Sequence, residues 1–396
     1  MPEAILTLNA GSSSIKFALY ECPAGARRLV SRGAIEGIGA APTFTALATD
    51  GTVLEDKHWA TGTHLDHEDL LEPLLTWVTS HLGEENLVAV GHRIVHGGSD
   101  FHSPTRIDDT VLAALEKLVP LAPLHQPHNI AAVKAIGSLR PGLPQVACFD
   151  TAFHHDMPAV ATRLALPRIY AEEGVRRYGF HGLSYEYLIA RLRELSPGLA
   201  DGRVIAAHLG NGASLCAMRN GRSIDTTMGF STLDGLVMGT RCGSIDPGAL
   251  LYLQQADGLR AADVERVLYH ESGLLGVSGI SHDMRILQAS EDPHAREAIE
   301  LFVYRLVKHV GALASVLGGL DALIFSAGIG EHSAGVRAAV CERLAWLGIE
   351  CDTAANTRHD SLISTSRSPV RVFVMATDEE AMIAEHTARA MSTLSS

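Results

Sequence analysis

The chain has 396 residues, 46% of them hydrophobic and 19% charged, and a formal net charge of −13 at pH 7. That length provides for two domains with buried cores, and that composition excludes a disordered or fibrous chain. The acidic balance argues against a nucleic-acid surface, so an anionic ligand would need basic residues gathered locally.

The first element is the apolar run of "ILTLNAGSSSIKFALY", which stops at Leu8. A loop of small polar residues follows, and Ile15–Tyr20 is apolar again except for Lys16. This is not a P-loop, which needs further glycines and opens a helix. It predicts strand, tight turn, strand, with the hydroxyls of Ser12 and Ser14, turn N–H groups and Lys16 facing one anion. An ordinary hairpin with a polar tip is the alternative. Further strands are predicted at Leu87–Val95, Gln145–Phe149, Val204–Ala207, Leu323–Phe325 and Val370–Met375, and helices at Leu65–His81, Leu183–Leu195 and Ala295–Leu317. The alternation means an α/β chain whose sheets are covered by helices, with a boundary just past Val146–Asp150.

The first residues include Glu3 and only a brief apolar run, which is not a signal-peptide pattern. The apolar segment Val310–Leu320 is too short to span a bilayer, so a soluble cytoplasmic protein is expected. Six scattered cysteines without a C-x-x-C pair fit reduced thiols. Twenty histidines raise the question of a metal, but no H-E-x-x-H occurs. In "GHRIVHGG" the residues Ile94 and Val95, between His92 and His96, read as a strand ending in glycines. An internal echo is also present. "AAHLGNGASLCAM" at 206–218 repeats the opening pattern, with Ser214-Leu215-Cys216 against Ser14-Ile15-Lys16. A third glycine turn, "FSAGIGEHSAG", follows another apolar strand and lets backbone approach a ligand.

Seven motifs, "NAGSSSIKF", "GHRIVHGG", "FDTAFH", "RRYGFHG", "HLGNGAS", "DTTMGFSTLDGLVMGTRCGSIDPG" and "SAGIGEHS", stand in the order and spacing of the acetate kinase family. The resemblance runs from Leu6 to about Glu380. It implies two domains of duplicated topology, of the sugar kinase, heat-shock ATPase and actin type, with mixed sheets flanked by helices and nucleotide in the interdomain cleft. The N-terminal domain would be 1–150, with a C-terminal helix 378–396 packing back on it. The C-terminal nucleotide-binding and dimerisation domain would be 151–377, making a homodimer. The implied reaction is reversible, direct in-line transfer from ATP to acetate with Mg²⁺ (Mn²⁺ as substitute), giving acetyl phosphate and ADP.

Such a transfer asks for positioning and charge neutralisation more than covalent help. Arg93 ends an apolar strand beside glycines, and Arg241 stands in a glycine-rich loop that no core explains; a planar guanidinium suits carboxylate and phosphate alike. The resemblance assigns Arg93 to the substrate carboxylate and Arg241 to the transferring phosphoryl group. His181 reads either as a polar residue starting a helix or, through the family, as a donor to that phosphoryl group; His125 matches a second active-site histidine. Asp150 ends a strand, where α/β proteins place ligand groups, although a helix cap is the plainer reading. Through the family it is the active-site carboxylate. Asn9 and Glu379 match the metal positions, and Thr377 with Glu380 reads as a capping box.

The resemblance also lays the nucleotide along His208, Leu209, Gly210, Asn211 and Gly212, then Asp283, Met284 and Arg285, then Gly328, Ile329, Gly330, Glu331 and His332. Two departures touch this path: the family usually has Asn at His332 and often Phe at Met284, which predicts loose base preference. The acyl pocket would be Val95, Leu124, Phe180 and Thr232, the last replacing a common proline. Rival readings are a propionate or butyrate kinase with the same machinery, and a non-catalytic ATPase module. Arg93, Asp150, His181 and Arg241 together weigh against the module, which needs no carboxylate site.

Overall fold

The computed structural model describes residues 3–22, 27–60, 65–82 and 87–392; the last four residues of the expected helix 378–396 lie outside the described residues, as do Met1 and Pro2 of the expected domain 1–150. The chain divides into two compact units, Met1–Ala152 with Asp378–Ser396, and Phe153–Thr377.

The first unit is built on eight strands: β1 Ala4–Ala10, β2 Ser14–Glu21, β3 Arg28–Glu36, β4 Thr43–Ala48, β5 Val53–His58, β6 Leu87–Ile94, β7 Thr105–Arg106 and β8 Gln145–Phe149. They lie in the order β5-β4-β3-β2-β1-β6-β8-β7. Strand β1 is central and buried on both faces, which is why it reads as a nearly unbroken apolar run. Its residues alternate. Leu6 and Leu8 join Phe17 and Phe44 in a core against the helix His67–Leu82, where Phe17, Phe44 and Trp77 meet edge to face at 5.7–5.8 Å. The other face is covered by the C-terminal helix Glu379–Ser392, which packs on β1, β6 and β8. The meander β3 to β5 was not foreseen. Its strands interleave polar residues, and edge strand β5 carries exposed Asp56, Lys57 and His58, which blunt it against further pairing.

The second unit holds β9 Arg203–Leu209, β10 Ala213–Arg219, β11 Arg222–Thr226, β12 Ala322–Ser326 and β13 Arg371–Val374, in the order β11-β10-β9-β12-β13. In each unit a hairpin is antiparallel and the next two neighbours are parallel: β1 with β6 and β8, β9 with β12 and β13. The sequence echo is thus a duplicated topology. The turns differ in length, however: Gly11–Ser14 lies between the paired Ala10 and Ile15, and Gly210–Gly212 between the paired Leu209 and Ala213. The helix Gly182–Leu195 covers one side of this sheet through Tyr185, Leu188 and Leu192, and the long helix Pro293–Leu317 also packs on β9, β10 and β11. Among the described residues no helix is long and apolar enough to cross a membrane.

The capping box expected from Thr377 and Glu380 is not what starts the C-terminal helix. Asp378 does so: its Oδ1 accepts the Ala381 N–H at 2.8 Å, and Thr377 instead donates its hydroxyl to Ser184 Oγ at 2.8 Å. An aspartate one residue later competes successfully for the free N–H groups of the first turn.

At Gly91 on β6 that helix approaches the sheet closely, since an added Cβ would stand 2.2 Å from Thr387 Oγ1 and 2.6 Å from Ile383 Cγ2. Gly91→Ala should therefore destabilise the protein by about 1–3 kcal/mol through overpacking. Denaturant unfolding checks this, and an unchanged midpoint would mean the helix is not seated on β6 as described.

Candidate functional site

Strand alternation in the first unit sets Asn9, Lys16, Gly91 and Arg93 on the face covered by the C-terminal helix. Asn9 and Lys16 are direct cross-strand partners, and Arg93 lies one residue before the end of β6. Asp150 follows β8 and continues its ladder, its N–H donating to the Ile94 carbonyl at 3.0 Å. Asn9 and Asp150 converge on Arg93. Its Nε donates to Asp150 Oδ1 at 3.0 Å, Nη2 donates to Asp150 Oδ2, and Nη1 donates to Asn9 Oδ1 at 3.1 Å. Glu379 Oε2 lies 3.6 Å from Nε. Asp150 is only 1% exposed, so this is a buried bidentate pair. Burial opposes the guanidinium's charge, yet Asp150 and Glu379 outweigh it and the Arg93 pKa is raised. Glu380 is pushed up by burial and then by the charge of Glu379.

Around this cluster, Val95 is buried and its N–H donates to Asn129 Oδ1 at 3.0 Å. Half-buried Leu124 precedes His125, which occupies the cap position of the helix Gln126–Leu139. At the first hairpin turn Ser12 and Lys16 are exposed, and the Gly11 carbonyl accepts from His67 Nε2 at 2.6 Å.

In the second unit, His181 caps the helix Gly182–Leu195 in the left-handed region, at φ 59°. Its Nδ1 is 2.8 Å from Ser214 Oγ, and its ring stacks on His208 with centroids 4.1 Å apart. His208 Nδ1 is in turn 2.9 Å from Ser184 Oγ. Both imidazoles reach along the Gly210–Gly212 turn. A Cβ on Gly212 would stand 3.4 Å from Arg241 Nη2 and 3.6 Å from His181 Nε2, so this glycine leaves room beneath both donors. Arg241 is fixed by Nη1 donating to the Thr232 carbonyl at 3.0 Å, which ties Thr232 to the arginine. Phe180 is buried, and its carbonyl accepts from His154 Nε2 at 3.0 Å.

A cavity of about 340 Å³ opens beside this turn. It gathers Gly210 and Asn211, then Asp283, Met284 and Arg285, then Gly328, Ile329 and His332, so three stretches far apart in sequence share one space. Asp283 caps its helix through the Arg285 N–H at 2.8 Å and pairs with the Arg285 side chain, which holds its carboxyl down to about 2. His208, Leu209, Gly212, Gly330 and Glu331 are not among the lining residues; Leu209 is a core residue. Instead the Gly330 and Glu331 carbonyls accept from Nη1 of Arg337 at 2.9 and 2.7 Å. Arg337 is fully buried and was not foreseen; its signal was a lone arginine within the apolar "GVRAAV". Also unforeseen at the cavity are His282, Gln288 and Ser333, the last capping a helix and accepting from Gln288 Nε2 at 2.9 Å.

The expected residues therefore fall into two groups. Asn9, Arg93, Asp150, His125 and Glu379, with the hairpin residues Ser12, Ser14 and Lys16, belong to the first unit. His181, Arg241 and the cavity residues belong to the second, and the acyl set is divided, Val95 and Leu124 in one unit, Phe180 and Thr232 in the other.

The model of the acetokinase family matches residues 4–385. The chain is 53% identical to an acetate kinase of Rhodopseudomonas palustris over 98% of each chain. It is 43% identical to a propionate kinase of Citrobacter rodentium, covering 98% of this chain and 97% of that one. Among solved structures it superposes on Porphyromonas gingivalis acetate kinase with a TM-score of 0.88 and 39% identity, covering 98% of this chain and all of that one (100%).

Three buried histidines flank these groups: His92, 2.7 Å from Gln145 Oε1; His96, whose Nδ1 accepts the Gly98 N–H; and His154. Burial pushes each down to about 4. An unfolded histidine binds its proton near pH 6.5, so between pH 6.5 and 4 the unfolded chain holds more protons. The stabilisation is complete above pH 6.5 and is lost as pH falls towards 4, by about 2 kcal/mol per histidine at pH 5. Urea unfolding at pH 7 and pH 5 should show a loss of several kcal/mol, reduced in His154→Gln. Equal stability at the two pH values would contradict neutral burial.

Proposed function

Because the chain belongs to the acetokinase family, we infer that it transfers the γ-phosphoryl group of ATP to acetate, reversibly, giving acetyl phosphate and ADP. The observation that carries this reading is the Gly210–Gly212 turn, which has Arg241 and His181 above it and lines a cavity sized for a nucleoside.

Acetate is already ionised at neutral pH, so no general base is needed. A carboxylate oxygen attacks the γ-phosphorus, the bond to the β-bridging oxygen breaks, and ADP leaves. What the protein must supply is cations. A guanidinium has five N–H groups. Arg93 commits three, to Asp150 and Asn9, which leaves two to receive the acetate carboxylate. Asp150 holds that guanidinium in place. Arg241 and the His181 imidazole act on the equatorial oxygens of the phosphoryl group, where negative charge develops. The nucleoside occupies the cavity along Met284, Ile329 and His332, with its phosphates towards the Gly210–Gly212 turn.

Asn9 Oδ1 and the Glu379 carboxylate, both of which also face the Arg93 guanidinium, are the hard oxygen donors that would hold Mg²⁺, completed by phosphate oxygens and water. When bound, Mg²⁺ (or Mn²⁺) neutralises phosphate charge. The reading also includes a cytoplasmic homodimer through the second unit, where exposed Tyr252, Tyr304 and Trp346 offer apolar surface to bury. A coupled assay of acetate-dependent ADP release tests the whole, with acetate, propionate and butyrate compared by kcat/KM. The propionate alternative is favoured by the 43% relative, against which stand the acetate kinases at greater identity.

Two outcomes follow from this division of labour. Arg93→Ala should chiefly raise the acetate KM, whereas Arg241→Ala should lower kcat by roughly 10²–10³-fold, as loss of a preorganised cation does. Similar small losses in both parameters for both variants would contradict these roles. Buried Val95 limits the acyl pocket in this reading, and one methylene is worth only about 1–3 kcal/mol. Propionate should therefore be a poor but measurable substrate, and Val95→Ala should shift preference towards it through KM. An unaltered acetate-to-propionate ratio would remove Val95 from the pocket.

A further inference from the structure

Tyr185 grips His181 twice. It stands one turn into the helix that His181 caps, and its N–H donates to the His181 carbonyl at 3.1 Å. Its phenol is hydrogen-bonded to Ser214 Oγ, the same oxygen that lies 2.8 Å from His181 Nδ1. Tyr185 and Ser214 are both fully buried. A phenol has one proton to give, and a serine hydroxyl has one to give and two lone pairs to receive. When the Tyr185 proton goes to Ser214, the serine proton is directed at His181 Nδ1. An imidazole that accepts at Nδ1 carries its own proton on Nε2. Nε2 is the nitrogen that faces the Gly210–Gly212 turn, next to Arg241.

The neighbouring histidine is held in the same way. Thr377 donates its hydroxyl to Ser184 Oγ, which lies 2.9 Å from His208 Nδ1. The two rings stack at 4.1 Å, and a second positive charge at that separation would be repelled, so neutral imidazoles with defined tautomers suit the pair.

We propose that Tyr185 is a positioning residue for phosphoryl transfer, its phenol acting through Ser214 to keep the His181 proton on Nε2, where it donates to the transferring group. This rests on the phosphotransferase reading above.

Tyr185→Phe keeps the ring, with its contacts to Phe153 and His154, and removes the hydroxyl at the head of the relay. In the full-length enzyme kcat should fall roughly tenfold while the KM values for acetate and ATP stay within about twofold. The loss should vanish in a His181→Ala background, because residues acting as one unit are not additive. Ring ¹⁵N spectra should report His181 protonated at Nε2 in the wild type and as a tautomer mixture in Tyr185→Phe. Should that variant fail to fold, Ser214→Ala cuts the same relay and carries the same expectations. An equal loss in the His181→Ala background, or an unchanged kcat with an unchanged tautomer, overturns the relay. Absence of acetate-dependent ADP release by the wild type would instead overturn the phosphotransferase reading, while the spectra still decide the tautomer.

Discussion

The Arg93–Asp150 pair is the constraint around which the first unit's polar cluster is arranged. A carboxylate taken out of water and a guanidinium beside it are each costly to bury, and the pair is tolerable because two parallel hydrogen bonds satisfy both partners. Its geometry is set by backbone. Arg93 and Cys148 are register partners on parallel strands, and the Asp150 N–H extends that ladder by bonding the Ile94 carbonyl. The side chains are therefore aimed by the sheet, and Asn9 and Glu379 complete an acidic and amide ring around a single cation. A guanidinium held this way keeps its charge at any pH the protein meets, so under the proposed function its hold on a carboxylate would not depend on its own protonation.

The second unit solves a different problem with different means. Its donors surround a three-residue turn, and the groups that hold them are neutral: Ser214, Ser184, Tyr185, Thr377 and backbone carbonyls. Four non-glycine residues of this unit have left-handed backbone, His181, Asn220, Ala327 and His359, and two of them, His181 and Ala327, stand at the start of a helix. Strained φ angles of this kind persist only where the surroundings over-determine them. At His181 those surroundings are on view, in the Tyr185 N–H on its carbonyl and His154 on the carbonyl before it. Buried Arg337 plays the corresponding part below the third glycine turn, spending its donors on the Gly330 and Glu331 carbonyls and on Asn356.

Much of this was legible in the sequence where an interaction is local or a strand is buried on both faces. Strands β1, β6, β8, β9, β12 and β13 announce themselves as apolar runs, and the hairpin echo forecast the duplicated sheet. The meander β3 to β5 was not legible, because half-exposed strands mix polar and apolar residues without a clean period. The helix start at 377–380 was misread by one residue, since Thr377 and Asp378 are both good caps and only the fold shows which one is spent elsewhere. Arg93 and Asp150 were each singled out, but their pairing across 57 residues was not, and neither was Gln288 meeting Ser333 across 45. Residue types predict chemistry; partners at that distance are decided by topology.

The first unit is discontinuous, and this sets an order of assembly. Its sheet is encoded in the first 152 residues, yet the helix that covers β1, β6 and β8 and brings Glu379 to Arg93 is encoded after the whole second unit. During synthesis, which proceeds from the N-terminus, one apolar sheet face with its partly neutralised arginine stays uncovered while some 225 further residues (153–377) are made. The nascent chain thus passes through a stage at which its first sheet is paired but half clad. The same arrangement ties completion of the Arg93 cluster to completion of the chain, since loss of the last helix would strip the sheet and the cluster in a single event.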